Sequence, residues 1–166
     1  MSTRLTSYTF STAEYMLPAG PYAVIDPGYV FTSDPFWGDM CDFMETHVDN
    51  QTGYLNIQID GLTAYAFTTA YGDGVYPVFS SGADIGSAGV DARILSLIPL
   101  ALIEKYGSRE QVDRFGVLVV LEHPSVPSYC DGDVTCGNLF IRTTDSDDDE
   151  GGYIYGSSPE DNEEEE

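Results

Sequence analysis

Short apolar runs bounded by Gly, Pro and Asp recur along most of the chain, and their period is that of strands rather than of long helices. Leu5 to Phe10 opens the series. Tyr22 to Ile25 follows and passes through Asp26-Pro27-Gly28, a turn tripeptide, into Tyr29 to Phe31. Tyr54 to Ile59 and Leu62 to Thr68 flank Asp60-Gly61, the strongest hairpin signal in the sequence. Within that pair Leu55, Ile57 and Ile59 alternate with Asn56, Gln58 and Asp60, which predicts one buried and one wet face. Gly72 and Gly74 mark a tight connection into Val75 to Phe79. Val90 to Ile98, Val117 to Leu121 and Leu139 to Arg142 supply further strands. Val117 to Leu121 is the most hydrophobic of them and is expected at the centre of a sheet.

Helical spacing is confined to short stretches. Asp34 suits an N-cap and Pro35 a first helical position, and Phe36/Trp37, Met40/Cys41, Met44 and Val48 recur on one side. Asp39, Asp42 and Glu45 fall opposite, so Met, Trp and Cys here read as packing, with Cys41 in the core. Leu100 to Tyr106, stopped by Gly107, and a turn or two after the capping-box spacing Ser108 to Gln111 complete the set. Two or three short helices among about eight hairpin-connected strands predict an α+β, mainly antiparallel β domain, sandwich or half-barrel-like.

Charge changes this picture more than composition does. The 166 residues carry 28 acids against 6 bases, a net of −22, with 42% apolar residues, enough for one domain with a real core. Residues 145–166 hold 11 of the acids and no base, leaving 17 acids and 6 bases, a net of −11, in residues 1–144. The expected organisation is therefore one globular domain over 1–144 and an acidic tail over 145–166, largely disordered or loosely docked, in which Tyr153 to Tyr155 form a short strand or an anchor. Lys105 is the only lysine, against five arginines. Carboxylate excess with so little lysine suits a cytoplasm at molar salt, where the screening length falls to about 3 Å and self-repulsion weakens. Such a surface excludes unaided binding to nucleic-acid phosphates or anionic lipid. No apolar window reaches membrane-spanning length and the first ten residues lack an apolar signal core, so the expected location is the cytoplasm or a virion.

The stretches AGPYAVIDPGYVF and AFTTAYGDGVYPV, the latter followed by VDARILSLIPLALI, give the sequence a second kind of signature. Over about residues 17–103 the chain resembles a family of small proteins without a settled activity, encoded by tailed viruses and microbial genomes. The markers are Asp26, Pro27, Tyr29, Gly72, Asp73, Gly74, Asp91 and Pro99. The resemblance implies a compact β-rich domain and assigns no catalytic residue.

Candidate chemistry is sparse. There is no phosphate-binding loop with a lysine, no His-Glu-x-x-His and no Gly-x-Ser-x-Gly. Cys130 and Cys136 flank a turn-like stretch and are close enough in sequence to pair, but their spacing fits no usual zinc knuckle. Asp145, Asp147 and Asp149 imitate the first positions of a calcium loop, yet Glu150 stands at the glycine position and Gly156 where the bidentate acid belongs. Asp131 and Asp133 are a looser candidate, and the reading adopted is a solvated acidic loop with, at most, weakly held cations. Asp73 and Asp91 with His123 are the candidates for an acid/base enzyme. But Asp before Pro, as at Asp26, and Asp between glycines, as at Asp73, are standard turn chemistry, and the turn reading is the one adopted. The function expected is a non-enzymatic structural or interaction protein of a halophile's virus or provirus. Its partners would be proteins, in a homo-oligomer or virion assembly. An acidic mimic of nucleic acid that blocks a DNA-processing or defence protein is the alternative.

Overall fold

The computed structural model describes residues 5, 7–31, 34–47, 53–91 and 93–144. The acidic tail with Tyr153 to Tyr155, and Val48, lie outside the described residues. Among the described residues, eleven strands form two sheets in which every pairing is antiparallel, and three α-helices accompany them, so the α+β, mainly antiparallel class holds. The first sheet contains β1 (Thr9–Ser11), β2 (Gly20–Ile25), β3 (Tyr54–Ile59), β4 (Leu62–Thr68), β7 (Ile94–Pro99) and β8 (Val117–Leu121), in the order β1-β3-β4-β7-β2-β8. The second contains β5 (Gly74–Ser80), β6 (Ala83–Val90), β9 (Ser128–Cys130), β10 (Asp133–Cys136) and β11 (Leu139–Ile141), in the order β6-β5-β11-β10-β9. Neither closes into a barrel.

The period of two along each strand explains the layering. In β2, Ala23 and Ile25 enter one apolar cluster while Tyr22 and Val24 enter another. The first cluster joins the six-stranded sheet to α1 (Asp34–His47), α2 (Leu100–Tyr106) and α3 (Arg109–Phe115) through Phe36, Met40, Leu102, Ile103 and Val112. The second lies between the two sheets and holds Tyr65, Phe67, Tyr76, Val78, Leu97 and Val119. Helices, a six-stranded sheet and a five-stranded sheet thus form three layers, with the six-stranded sheet covered on both faces.

Double coverage overturns the expected wet face of β3. Asn56 is 1% exposed, and its Nδ2 donates to the Ala13 carbonyl at 2.5 Å. The hairpin at Asp60-Gly61 forms in the expected register, Ile59 opposite Leu62. Val117 to Leu121 is a correction: β8 is an edge strand, and Leu118 and Val120 are 39% and 59% exposed. Its other side chains, Val117, Val119 and Leu121, fill the space between the sheets, so the run is apolar without being central. Part of that edge is covered by Asn138, whose Nδ2 donates to the Val120 carbonyl at 2.9 Å and whose Oδ1 accepts from the Glu122 amide at 2.9 Å. A side-chain amide there imitates a neighbouring strand and blunts the edge.

Three local expectations also change. Tyr29 belongs to a 3-10 helix, Pro27–Tyr29, because the Asp26 side chain caps the turn instead of letting the strand resume. Cys41 is exposed, since the inward phase of α1 is set by Phe36 and Met40 and the next residue lies about 100° away. The stretch 129–138, read as turn-like, lies largely in the hairpin of β9 and β10, with Cys130 and Cys136 both free thiols and only Cys136 of the two buried.

Tyrosines tie the layers together, and the same residues set the alkaline limit of the fold. Burial, with a small contribution from Cys136, pushes Tyr22 up to about 12, and burial also pushes Tyr65 up. A group whose pKa is raised in the folded state stabilises it fully below the unfolded value near 10 and ceases to do so as pH climbs through the folded value. The protein is therefore expected to unfold as pH rises from 10 toward about 12, with Tyr22 and Tyr65 ionising only as structure is lost. Because Tyr15 and Tyr71 are exposed, the measurement is the absorbance difference between the chain and its Tyr22→Phe and Tyr65→Phe variants. Ionisation of either phenol at pH 10 in a still-folded protein would contradict this burial.

Candidate functional site: carboxylates at the crossover between sheets

The chain passes from the second sheet to the first between Val90 and Ile94, where β6 gives way to β7. The long apolar run Val90 to Ile98 therefore breaks at a polar joint, and the marker acids gather around it. Asp26 leaves β2 and is 1% exposed. Its Oδ1 accepts from the Gly28 amide at 2.8 Å, which is turn chemistry, and its Oδ2 accepts from the Asp91 amide at 2.8 Å, a bond across 65 residues. Asp91 in turn accepts from the Tyr29 hydroxyl. Two residues on, the Arg93 amide donates to Asp73 Oδ1 at 3.1 Å. Arg93 sits at φ 63, in the left-handed region, where a non-glycine residue needs such external support.

The Tyr-Gly-Asp-Gly stretch supplies that support. Gly72, at φ 78, adopts a turn that a side chain would strain, and its carbonyl accepts from Thr69 Oγ1 at 2.5 Å and from Tyr76 Oη at 2.8 Å. The Arg93 side chain runs 3.6 Å from where a Gly72 Cβ would stand. The Thr69 amide closes the loop by donating to the Arg93 carbonyl at 3.1 Å. On the other side, the Tyr29 ring stacks on Phe115 with centroids 4.2 Å apart. The hydrogen bond to Asp91, ahead of burial and of the Asp91 and Asp26 charges, pushes the Tyr29 phenol up to about 12.

No protein-family model, curated protein or solved structure matches this chain.

Asp26, Asp73 and Asp91 are thus brought to one joint, but His123 is not. It follows β8 on the surface, its carbonyl accepts from Ser125 Oγ at 2.9 Å, and it shares no hydrogen bond with Asp73 or Asp91. Each of the three carboxylates is engaged within the joint, Asp26 and Asp73 by backbone amides and Asp91 by a phenol.

The calcium candidates divide in a similar way. Asp145, Asp147 and Asp149 lie outside the described residues. Asp131 and Asp133 lie at the turn of the β9–β10 hairpin, with Asp131 exposed and at φ 53. Asp133 Oδ1 accepts from the amides of Thr143 and Thr144 at 2.8 and 3.0 Å, and its Oδ2 from Thr144 Oγ1 at 3.1 Å. This carboxylate clamps the chain leaving β11. Among the described residues, no three His, Cys, Asp or Glu side chains stand together as metal ligands would, and no helix is long and apolar enough to cross a membrane.

Sequence reasoning missed Asp133 and Asn138 as clamps, and Phe115 as the partner of Tyr29. Asp and Asn beside Gly at 131–138 signalled a turn, but their partners lie well away along the chain.

Proposed function

We propose that this chain is a non-enzymatic interaction protein with a salt-adapted surface, acting in a virion or as a small accessory protein of a halophile's virus or provirus. The observation that supports it most is what the acids at the joint bond to. Asp26, which is buried, and Asp73, which is exposed, accept from backbone amides, and the exposed Asp91 accepts from the Tyr29 hydroxyl, so each of the acids that looked catalytic has a structural partner. Asp39, Asp42, Glu45, Asp84, Glu104 and Glu122 are exposed, and exposed Asp60 pairs with Lys105 at 2.9 Å. Dense carboxylates without counter-charges repel one another in dilute buffer and hydrate a surface at high salt, weakly attracting cations as they do so. The viral origin rests on the resemblance read in the sequence of residues 17–103 alone.

The salt dependence of folding tests the surface part of this reading. Thermal stability should rise steadily between about 0.1 M and about 1 M salt, as the screening length shrinks from about 10 Å to about 3 Å. A melting temperature independent of salt removes the halophile reading. The interaction part is tested by immobilising the full chain at molar salt, identifying what it retains, and measuring the complex with the purified partner. Failure of every purified candidate to form a defined complex, or turnover of a substrate by the pure chain, rejects it. The acidic-mimic alternative is favoured if the retained protein binds DNA and the chain competes with DNA for it.

A further inference from the structure

We propose that the β1 edge of the six-stranded sheet, together with the cleft beside it, receives an extended, arginine- or lysine-bearing segment of a partner protein. This rests on the interaction reading and names the surface that performs it. Three separate features meet there. First, among the described residues β1 pairs with β3 alone, so its outer edge offers backbone to an added strand. The opposite edge of the sheet, β8, is blunted by Asn138.

Second, β1 and α1 leave an open cleft of about 460 Å³ between them, lined by Tyr8, Phe10, Asp39, Asp42, Phe43 and Thr46. Its wall is a run of aromatic rings. Tyr8 and Phe10 lie 5.5 Å apart between centroids, Phe10 and Phe43 5.6 Å, and His47 stacks on Phe43 at 4.3 Å. Ring faces attract a cation held within about 6 Å, and a guanidinium can also stack on them.

Third, the cleft is anionic and uncompensated. Asp39 and Asp42 stand one turn apart on the exposed side of α1, and among the described residues no base pairs with either. Asp39 accepts from the Tyr8 hydroxyl at 2.6 Å, which fixes its carboxylate at the mouth of the cleft. A strand laid on β1 sends alternate side chains toward the face on which Phe10 packs, so every second residue of the added segment can present its cation to rings and carboxylates together. A second copy of the chain, or its own tail, would bring net negative charge to the same place. Complementarity therefore selects a basic partner.

The test uses the full chain, labelled with nitrogen-15, and three synthetic peptides: alternating Val and Arg, the same with Glu for Arg, and the Val/Arg peptide N-methylated at alternate amides. The Val/Arg peptide should move the amide signals of β1 and of the Asp39–Thr46 stretch, at about 0.15 M and still at about 1 M salt. The Glu peptide should leave them in place, and the N-methylated one, with equal charge but no strand to add, should bind at least about tenfold more weakly. The Asp39→Asn/Asp42→Asn pair should weaken the Val/Arg peptide by about tenfold or more. Asp42→Asn alone, on an exposed helix position, keeps the test readable if the pair fails to fold. Equal binding of the N-methylated peptide, equal binding by the variants, or signals moving elsewhere would overturn the proposal, as would dimerisation through the same residues. If a partner captured by the wild-type chain binds the Asp39/Asp42 variants equally well, this surface is wrong and the interaction reading stands. If the Val/Arg peptide binds as expected but no purified protein does, the reading fails and the basic-segment site remains.

Discussion

Asp26→Ala is expected to lower the unfolding free energy by about 2–4 kcal/mol, among the largest effects of any single polar substitution in this chain. The side chain is 1% exposed and joins two segments 65 residues apart through the Gly28 and Asp91 amides. Hydrogen bonds that a carboxylate accepts from backbone N–H groups are about twice as strong as neutral ones, and removing the acceptor leaves partly buried donors without a partner. The loss would also free Asp91, whose carboxylate holds Tyr29 against Phe115. Asp26→Asn keeps one accepting oxygen but turns an NH2 toward an N–H, so its cost should fall between alanine and wild type. Denaturant titration reads both. A cost below about 0.5 kcal/mol for the alanine variant would mean that the joint is held by packing alone.

Gly132→Val is expected to cost about 3 kcal/mol or more, through two effects that add. Its φ of 107 is a conformation that side chains rarely adopt, and a Cβ there would stand 2.6 Å from Thr143 Oγ1 and 2.7 Å from the Ala70 amide nitrogen. The Gly132 carbonyl also accepts from Thr143 Oγ1, while Thr143 Oγ1 accepts from the Ala70 amide at 3.0 Å. Relief would require the end of β4 and the exit of β11 to move apart together. The same substitution separates the clamp from the calcium-loop reading of Asp131 and Asp133. In a clamp the damage is to folding and is indifferent to calcium; restoration of stability by calcium would mean that these acids do bind it.

What could be read from the sequence follows from how local each determinant is. Asp60-Gly61 gave the β3–β4 hairpin and its register because a two-residue turn is decided by the two residues in it. Gly107, Ser108 and the acids' place on α1 were legible for the same reason. The errors lie where a partner distant in sequence decides. Nothing in Val117 to Leu121 distinguishes a central strand from an edge strand whose inner face is fully buried. Asn56 looks solvent-facing until the Ala13 segment, 43 residues away, bonds to it. The acids at Asp26 and Asp73 were recognisable as turn residues, but their bonds to Asp91 and Arg93 span 65 and 20 residues and emerge only once both sheets are assembled.

On the proposed reading, the marker acids serve the joint between the sheets and leave function to the surface. Asp73→Asn tests it most directly, because an amide keeps an oxygen for the Arg93 N–H while removing the charge that acid/base chemistry would need. Unfolding free energy and partner affinity, measured on the same preparation, should show a loss of about 0.5–1 kcal/mol in the first and no change in the second. Full stability with partner binding, or any turnover by the pure chain, abolished would contradict the account and make Asp73 a functional residue.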